Sequence, residues 1–389
     1  LTSYRRTVPD QANGFLAVNI TGDDISWPWH EDGDANVQGL SEAFDPEAAR
    51  KVLEENAEAI KKLHASLSHA DFKVPEPRSP ADDVGFLLAW RELACLSLCR
   101  MRLLLETGSE AEALEEAFHL VRFGHRVAGG QGPVIQYLVG LAIKSLGIHG
   151  MVRCLRAENL EAAQLKRLVE EVGRYRANDD ALRDSYRAEY VLFKNALDGL
   201  ARGDEEVLES LGWETSSWTL SRPLFLLQQT KRWLGEDFRV LVRNAAMRRR
   251  DREALDLDAK YGVLEKQKHL LLFNGVGREM LRVLLPTFEK ALESRDREAW
   301  GISALETLLA LKHFQLLNGR LPASLAKLVP LYLKEAPIDP YDGEPVRYSA
   351  EKKIVYSVGI DLEDSGGSGE EESADAMYDE EEPTFRIEF

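Results

Sequence analysis

Cysteine is scarce in this 389-residue chain, and long uncharged apolar runs are missing. Cys95, Cys99 and Cys154 lack the number and the CxxC spacing of a disulfide framework or a structural zinc site. The longest apolar candidates, 86–98 and 133–152, are interrupted by Arg91, Glu92 and Lys144, so no membrane span is expected. Proteases of the HExxH type, GxSxG hydrolases and P-loop nucleotide enzymes are excluded by the absence of their motifs. Gly275-Val276-Gly277 does not make a dinucleotide loop, because Met280 stands at the third glycine and no strand precedes it. The chain is 44% hydrophobic and 30% charged, which excludes collagenous and wholly disordered classes. It begins with Leu, so contact with a membrane is expected only through an anchor preceding Leu1.

Charge is unevenly distributed. Residues 361–389 hold twelve acids and one base, Arg386, and so contribute −11 of the net −17. The remaining 360 residues carry 54 acids and 48 bases, a balance with no global attraction for nucleic acid or anionic lipid. Arg243, Arg248, Arg249, Arg250 and Arg252 form the densest basic stretch. With Asp251, Glu253, Asp256 and Asp258 among and after them, they read as a solvated helix face rather than a nucleic-acid grip, and as a candidate receiver for the acidic tail.

Residues 1–43 are irregular. Trp27 and Trp29, separated by Pro28, read as aromatics plugging the side of the next domain. From 44 to 300 the pattern is helical. Asp45-Pro46-Glu47 supplies an N-cap, a proline at the first helical position and an acid in the first turn. Further helices are expected over 84–106, 109–128, 133–156, 159–175, 178–202, 223–256, 258–296 and 299–318. Ser109 with Glu112 reads as a capping box, and Asn159 as a cap. The hairpin from Trp90 to Gly124 resembles one of tetratricopeptide type, but no 34-residue period is sustained. The eight histidines include His64 with His69 and His119 with His125, pairs that lack the i, i+4 spacing of two ligands on one helix face. A surface or satisfied core role is expected for each.

After Asn318-Gly319 five prolines fall within 24 residues, two short strand-like runs follow, and Phe385, Ile387 and Phe389 alternate as a final strand. The fold class is therefore mainly α: an irregular helical bundle or short α-solenoid, closed by a small α+β module over 301–389 with a short antiparallel sheet.

The segment from Ala310-Leu311-Lys312-His313-Phe314 through Asn318-Gly319-Arg320-Leu321-Pro322, Asp339-Pro340-Tyr341-Asp342-Gly343 and Tyr356-Ser357-Val358-Gly359-Ile360-Asp361 to the loop Asp364-Ser365-Gly366-Gly367-Ser368-Gly369 resembles the globular part of the major pseudopilin of bacterial type II secretion systems. The resemblance covers about 90 of 389 residues. It implies a calcium ion in the acidic glycine-rich loop 361–382, with Asp361, Asp364 and Asp375 as its ligands. Calcium's preference for six to eight hard oxygens on a flexible loop suits such a segment. The chain departs from that family in the roughly 300 helical residues before the module, and in a longer, more acidic loop. Together these features lead to the expectation of a non-enzymatic, extracytoplasmic bacterial protein, periplasmic or membrane-anchored, whose helical body binds protein partners of the cell envelope and not nucleic acid. The alternative is a helical hydrolase of the α/α type with a carboxylate-lined groove in 44–300.

Overall fold

The computed structural model describes residues 7–18, 20, 24–26, 39, 44–75, 77, 79, 82, 84–176, 179–212, 214–262, 273–367 and 382–389. Trp27, Trp29 and Asp375 lie outside the described residues.

A short α1 (Gly14–Ala17) precedes α2 (Pro46–Glu55) and α3 (Ala57–Ser66). The long helices α4 (Phe86–Glu106), α5 (Glu110–Ala128) and α6 (Val134–Cys154) follow, then α7 (Ala162–Val172) and α8 (Asp179–Arg202). Three shorter helices, α9 (Glu205–Ser210), α10 (Thr215–Ser221) and α12 (Leu257–Tyr261), flank α11 (Leu227–Asn244). The chain then runs along α13 (Gly275–Asn318) into an antiparallel sheet of β1 (Arg347–Ser349), β2 (Ile354–Tyr356) and β3 (Thr384–Arg386), in the order β1-β2-β3. Tyr348 faces Val355, which faces Phe385. The protein is thus mainly helical with one small sheet.

Local chemistry explains the boundaries. Asp45 Oδ1 accepts from the backbone of Glu47 at 2.9 Å and Ala48 at 3.3 Å, and Pro46 opens α2 as expected. Gly108, at φ +77°, turns α4 back into α5. Ser109 makes no side-chain cap, contrary to the capping-box expectation; its N–H is engaged by Leu104 O at 2.8 Å in the tight turn. Asn159 does not cap α7 either: the N-cap position falls to Glu161, and the Asn159 backbone N–H donates to Glu110 at 2.7 Å.

Two larger differences concern helix continuity. The helix expected over 223–256 ends at Asn244, whose amide donates to Glu253 O at 2.8 Å and accepts from Glu253 N at 3.1 Å. That reciprocal pair substitutes for the helical ladder and folds the arginine-rich stretch back as a loop. In contrast, α13 runs unbroken through the interruption expected at 296–299. Asp296, fully buried there, is neutralised by Arg252 at 2.6 Å and Arg295 at 3.1 Å, so the acid needs no exit to solvent.

One buried cluster joins α2–α7 to the second half of α13 and to Val355, Phe385 and Ile387 of the C-terminal module. A second gathers α8, α11 and the first half of α13 on the Tyr137 side of α6. The 300/301 boundary therefore falls inside α13, and the module shares its apolar face with the helical body. Helix α6 is long and apolar enough to cross a membrane, with mean hydropathy 1.3, yet 61% of that window is buried inside the protein.

The charge that interrupts α6 finds its partner across the core. Lys144 Nζ ion-pairs with Glu298 of α13 and donates to Tyr175 O, and the two charged side chains are 2% and 3% exposed. Burial lowers the lysine's pKa and raises the glutamate's, and each is opposed by its partner. Removing one member leaves an uncompensated buried charge, whereas replacing both by apolar groups does not. Lys144→Met is expected to lose about 3–5 kcal/mol in denaturant unfolding, and Lys144→Met with Glu298→Leu to regain most of it. A double variant no more stable than the single one would show that the pair itself is not the cause.

Candidate functional site

The tight α4–α5 turn lays two helices antiparallel, and α3 crosses beside them because Asn56 ends α2 just before it. Asn56 Nδ2 donates to Ser26 O at 2.7 Å while its Oδ1 accepts from Ser26 N at 2.9 Å. In consequence His64 of α3 meets Glu116 and His119 of α5. Glu116 and His119 are three residues apart and share one face of the helix.

Glu116 is 3% exposed. His64 Nε2 lies 3.1 Å from its carboxylate, and the buried Ser97 hydroxyl of α4 donates to Oε1. Arg100 Nε stands 3.6 Å away. His119 Nδ1 is 3.8 Å from Oε2, within charge range but beyond hydrogen-bonding distance, and it has no hydrogen-bond partner. The two imidazole rings are 4.8 Å apart, centre to centre. Burial pushes Glu116 up, but contacts with His119, His64 and Ser97 outweigh it and hold the carboxyl well below the usual carboxylate range. Glu116 is therefore an anion in the fold.

His64 and Arg100 also line a surface groove of about 560 Å³ between α2, α3 and α4, whose walls include Leu53, Glu54, Ile60 and Lys61. A second groove, about 540 Å³, runs along α6 past Arg91, Leu146 and Arg297 to Glu298. Each presents a single carboxylate, Glu54 in one and Glu298 in the other. Neither has the facing pair that glycoside hydrolysis uses.

At the C-terminal module the predicted metal residues divide. Asp361 is exposed and its Oδ1 accepts from Glu363 N at 3.0 Å. Asp364 Oδ1 accepts from Gly366 N at 3.1 Å and from the Tyr356 hydroxyl at 3.3 Å, while its Oδ2 faces Arg347 Nε at 3.6 Å. The donors have the hard-oxygen chemistry of a calcium site. Two of this chain's own cations already serve them: Arg347 binds Asp339, Asp342 and Asp364, and Lys352 Nζ donates to Gly366 O at 2.7 Å and Gly367 O at 3.0 Å.

Reading the sequence overlooked both the His64–Glu116–His119 convergence and the Arg347 hub. The Glu-x-x-His spacing on α5 was a signal for the first, hidden because the histidines were compared only with one another. The arginine-rich stretch also differs from expectation: Arg248 to Arg252 are not α-helical. Arg243 pairs with Glu253 at 2.6 Å, Arg252 with Asp296, and Arg249 donates to Ile360 O at 3.1 Å, one residue before the acidic loop. No protein-family model matches the chain, and neither does a curated protein or a solved structure.

Asp339 depends on Arg347. It is fully buried, its carboxyl is pushed up by burial against backbone bonds from Tyr341 and Val358, and Arg347 Nη1 lies 2.9 Å from it. Arg347→Ala strands a buried acid and is expected to cost about 1–3 kcal/mol in urea unfolding. Arg347→Lys should restore less than half of that, since an ammonium lacks the fork that reaches Asp339 and Asp342 together. Equal stability of all three proteins would contradict the hub.

Proposed function

We propose that this chain is a non-enzymatic, extracytoplasmic bacterial binding protein, periplasmic or held by an anchor preceding Leu1. In this reading the helical body binds protein partners of the cell envelope, and the terminal module is of the pseudopilin type. The observation that carries it is the order of the module's parts. A long helix ending in Asn318-Gly319, the Asp339-Pro340 turn and a three-stranded antiparallel sheet follow one another, with the acidic loop between β2 and β3. The helix packs on the sheet through a shared apolar cluster, which is the layering a pseudopilin-like module requires. The grooves of the body, mixed apolar and basic and without paired carboxylates, suit binding better than hydrolysis.

The same reading places calcium at Asp361, Asp364 and Asp375. When bound there, calcium neutralises crowded carboxylates and fastens the strand that follows. Asp361 and Asp364 would supply two of its oxygens.

Affinity capture of the chain from crosslinked bacterial envelope fractions is expected to enrich membrane or periplasmic proteins. Recovery of cytosolic proteins alone would sink the functional reading. Calcium at a hundred times its dissociation constant should add about 2.7 kcal/mol to the folded form. Millimolar calcium is accordingly expected to raise the melting temperature and protect 362–382 from proteolysis, magnesium less so, with Asp361→Ala insensitive to both. Unchanged melting and cleavage would remove the metal from the proposal without touching the capture result.

A further inference from the structure

We infer that His64, Glu116 and His119 form a binding site for a first-row divalent metal ion, with zinc as the expected occupant. The inference is independent of the C-terminal module and of calcium. It starts from three acceptors that converge. One oxygen of Glu116 and one ring nitrogen from each histidine all lie within 4.8 Å of one another. The Glu116 carboxylate is buried, and the Ser97 hydroxyl fixes it by donating to Oε1.

The two imidazole rings stand 4.8 Å apart, centre to centre. His119 Nδ1 is buried and has no hydrogen-bond partner, although it points toward the carboxylate 3.8 Å away. A ring nitrogen, a second ring nitrogen and a carboxylate oxygen aimed at one point are what a shared cation satisfies.

The donor set selects the metal. Two imidazoles and one carboxylate suit zinc and its first-row neighbours, whereas calcium and magnesium favour all-oxygen shells. Zinc bonds of 2.0–2.1 Å place tetrahedral ligand atoms roughly 3.3 Å apart. His64 Nε2 and Glu116 are already 3.1 Å apart, so the main adjustment is a tilt of His119. Its side chain is 29% exposed and has room to move. Glu116 and His119 are fixed on one helix face and His64, which also lines the groove, comes from α3, so the set supplies three ligands. Ser97 would orient the carboxylate from outside the coordination sphere, the role that hydrogen-bonded partners of metal ligands ordinarily fill. Arg100, 3.6 Å from Glu116, is the competing cation and would have to give way by a small movement.

The test uses the whole chain stripped with a chelator and titrated with zinc by calorimetry, and with cobalt by visible absorption. One equivalent is expected to bind, with cobalt giving the intense bands of a four-coordinate site. His64→Ala and His119→Ala should each weaken zinc at least tenfold and abolish those bands. Ser97→Ala should weaken it about 10–100-fold. His69→Ala, at a half-buried residue outside the cluster, should bind as the unaltered chain does. Circular dichroism and melting establish that each variant is folded, and should His119→Ala fail that check, His119→Asn takes its place. No zinc binding at 100-fold molar excess, or binding that survives both histidine substitutions, would overturn the site and leave a cluster sharing only protons. Equal weakening by His69→Ala would do the same by showing adventitious surface capture.

Discussion

Helices α5 and α6 lie against each other at backbone contact, and the rest of the molecule is arranged around that closeness. A Cβ on Gly124 would fall 2.5 Å from Lys144 N, and one on Gly140 2.3 Å from Ala128 N, distances no side-chain carbon tolerates. Because α5 comes so near, α6 has little solvent on that side, and α13 and α8 cover much of what remains. Lys144 then cannot lead its charge to water. It must be met inside, and Glu298 meets it from α13. A steric fact about two glycines thus dictates an electrostatic one about two helices far apart in sequence.

Segments outside the long helices are held by a second, recurring device. Asn13 donates to Lys73 O at 2.9 Å and accepts from Lys73 N at 2.8 Å. Asn56 does the same with Ser26, and Asn244 with Glu253. A primary amide carries the same donor and acceptor as a peptide group, so each asparagine acts as one rung of a ladder where no strand exists. The exchange satisfies buried backbone groups that would otherwise cost free energy. It also fixes the direction in which the chain leaves each helix. The Asn56 pair ties Ser26 to the junction of α2 and α3, the helix that carries His64.

Much of this was legible from sequence, and what was not has identifiable causes. Helices α4, α5, α6 and α8 announce themselves by period and glycine stops, and the three strands by alternation after a run of prolines. The continuity of α13 was hidden because Asp296 and Glu298 look like surface acids, and only tertiary partners make them compatible with burial. The end of α11 was hidden for the opposite reason: arginines are good helix formers, and the amide pair that ends the helix joins residues 244 and 253. Of the site on α3 and α5 only the Glu116-x-x-His119 half was legible, because His64 lies 52 residues before Glu116 and meets it through tertiary packing.

The buried charges then sort into a pattern that singles out one of them. Glu298, Asp296 and Asp339 are each joined to a lysine or arginine of this chain. Each of these pairs links segments distant in sequence or, for Arg347, several turns of the module. They fix register at positions where apolar residues could have packed as well. Glu189 and Glu116 differ: buried Glu189 accepts from the backbone N–H of Val134 at 2.8 Å, without an ion pair among the described residues. The close partners of Glu116 are a serine and two histidines, with an arginine at 3.6 Å. Of the buried acids named here, Glu116 is the one met by two imidazole rings, a donor set that suits a first-row metal ion.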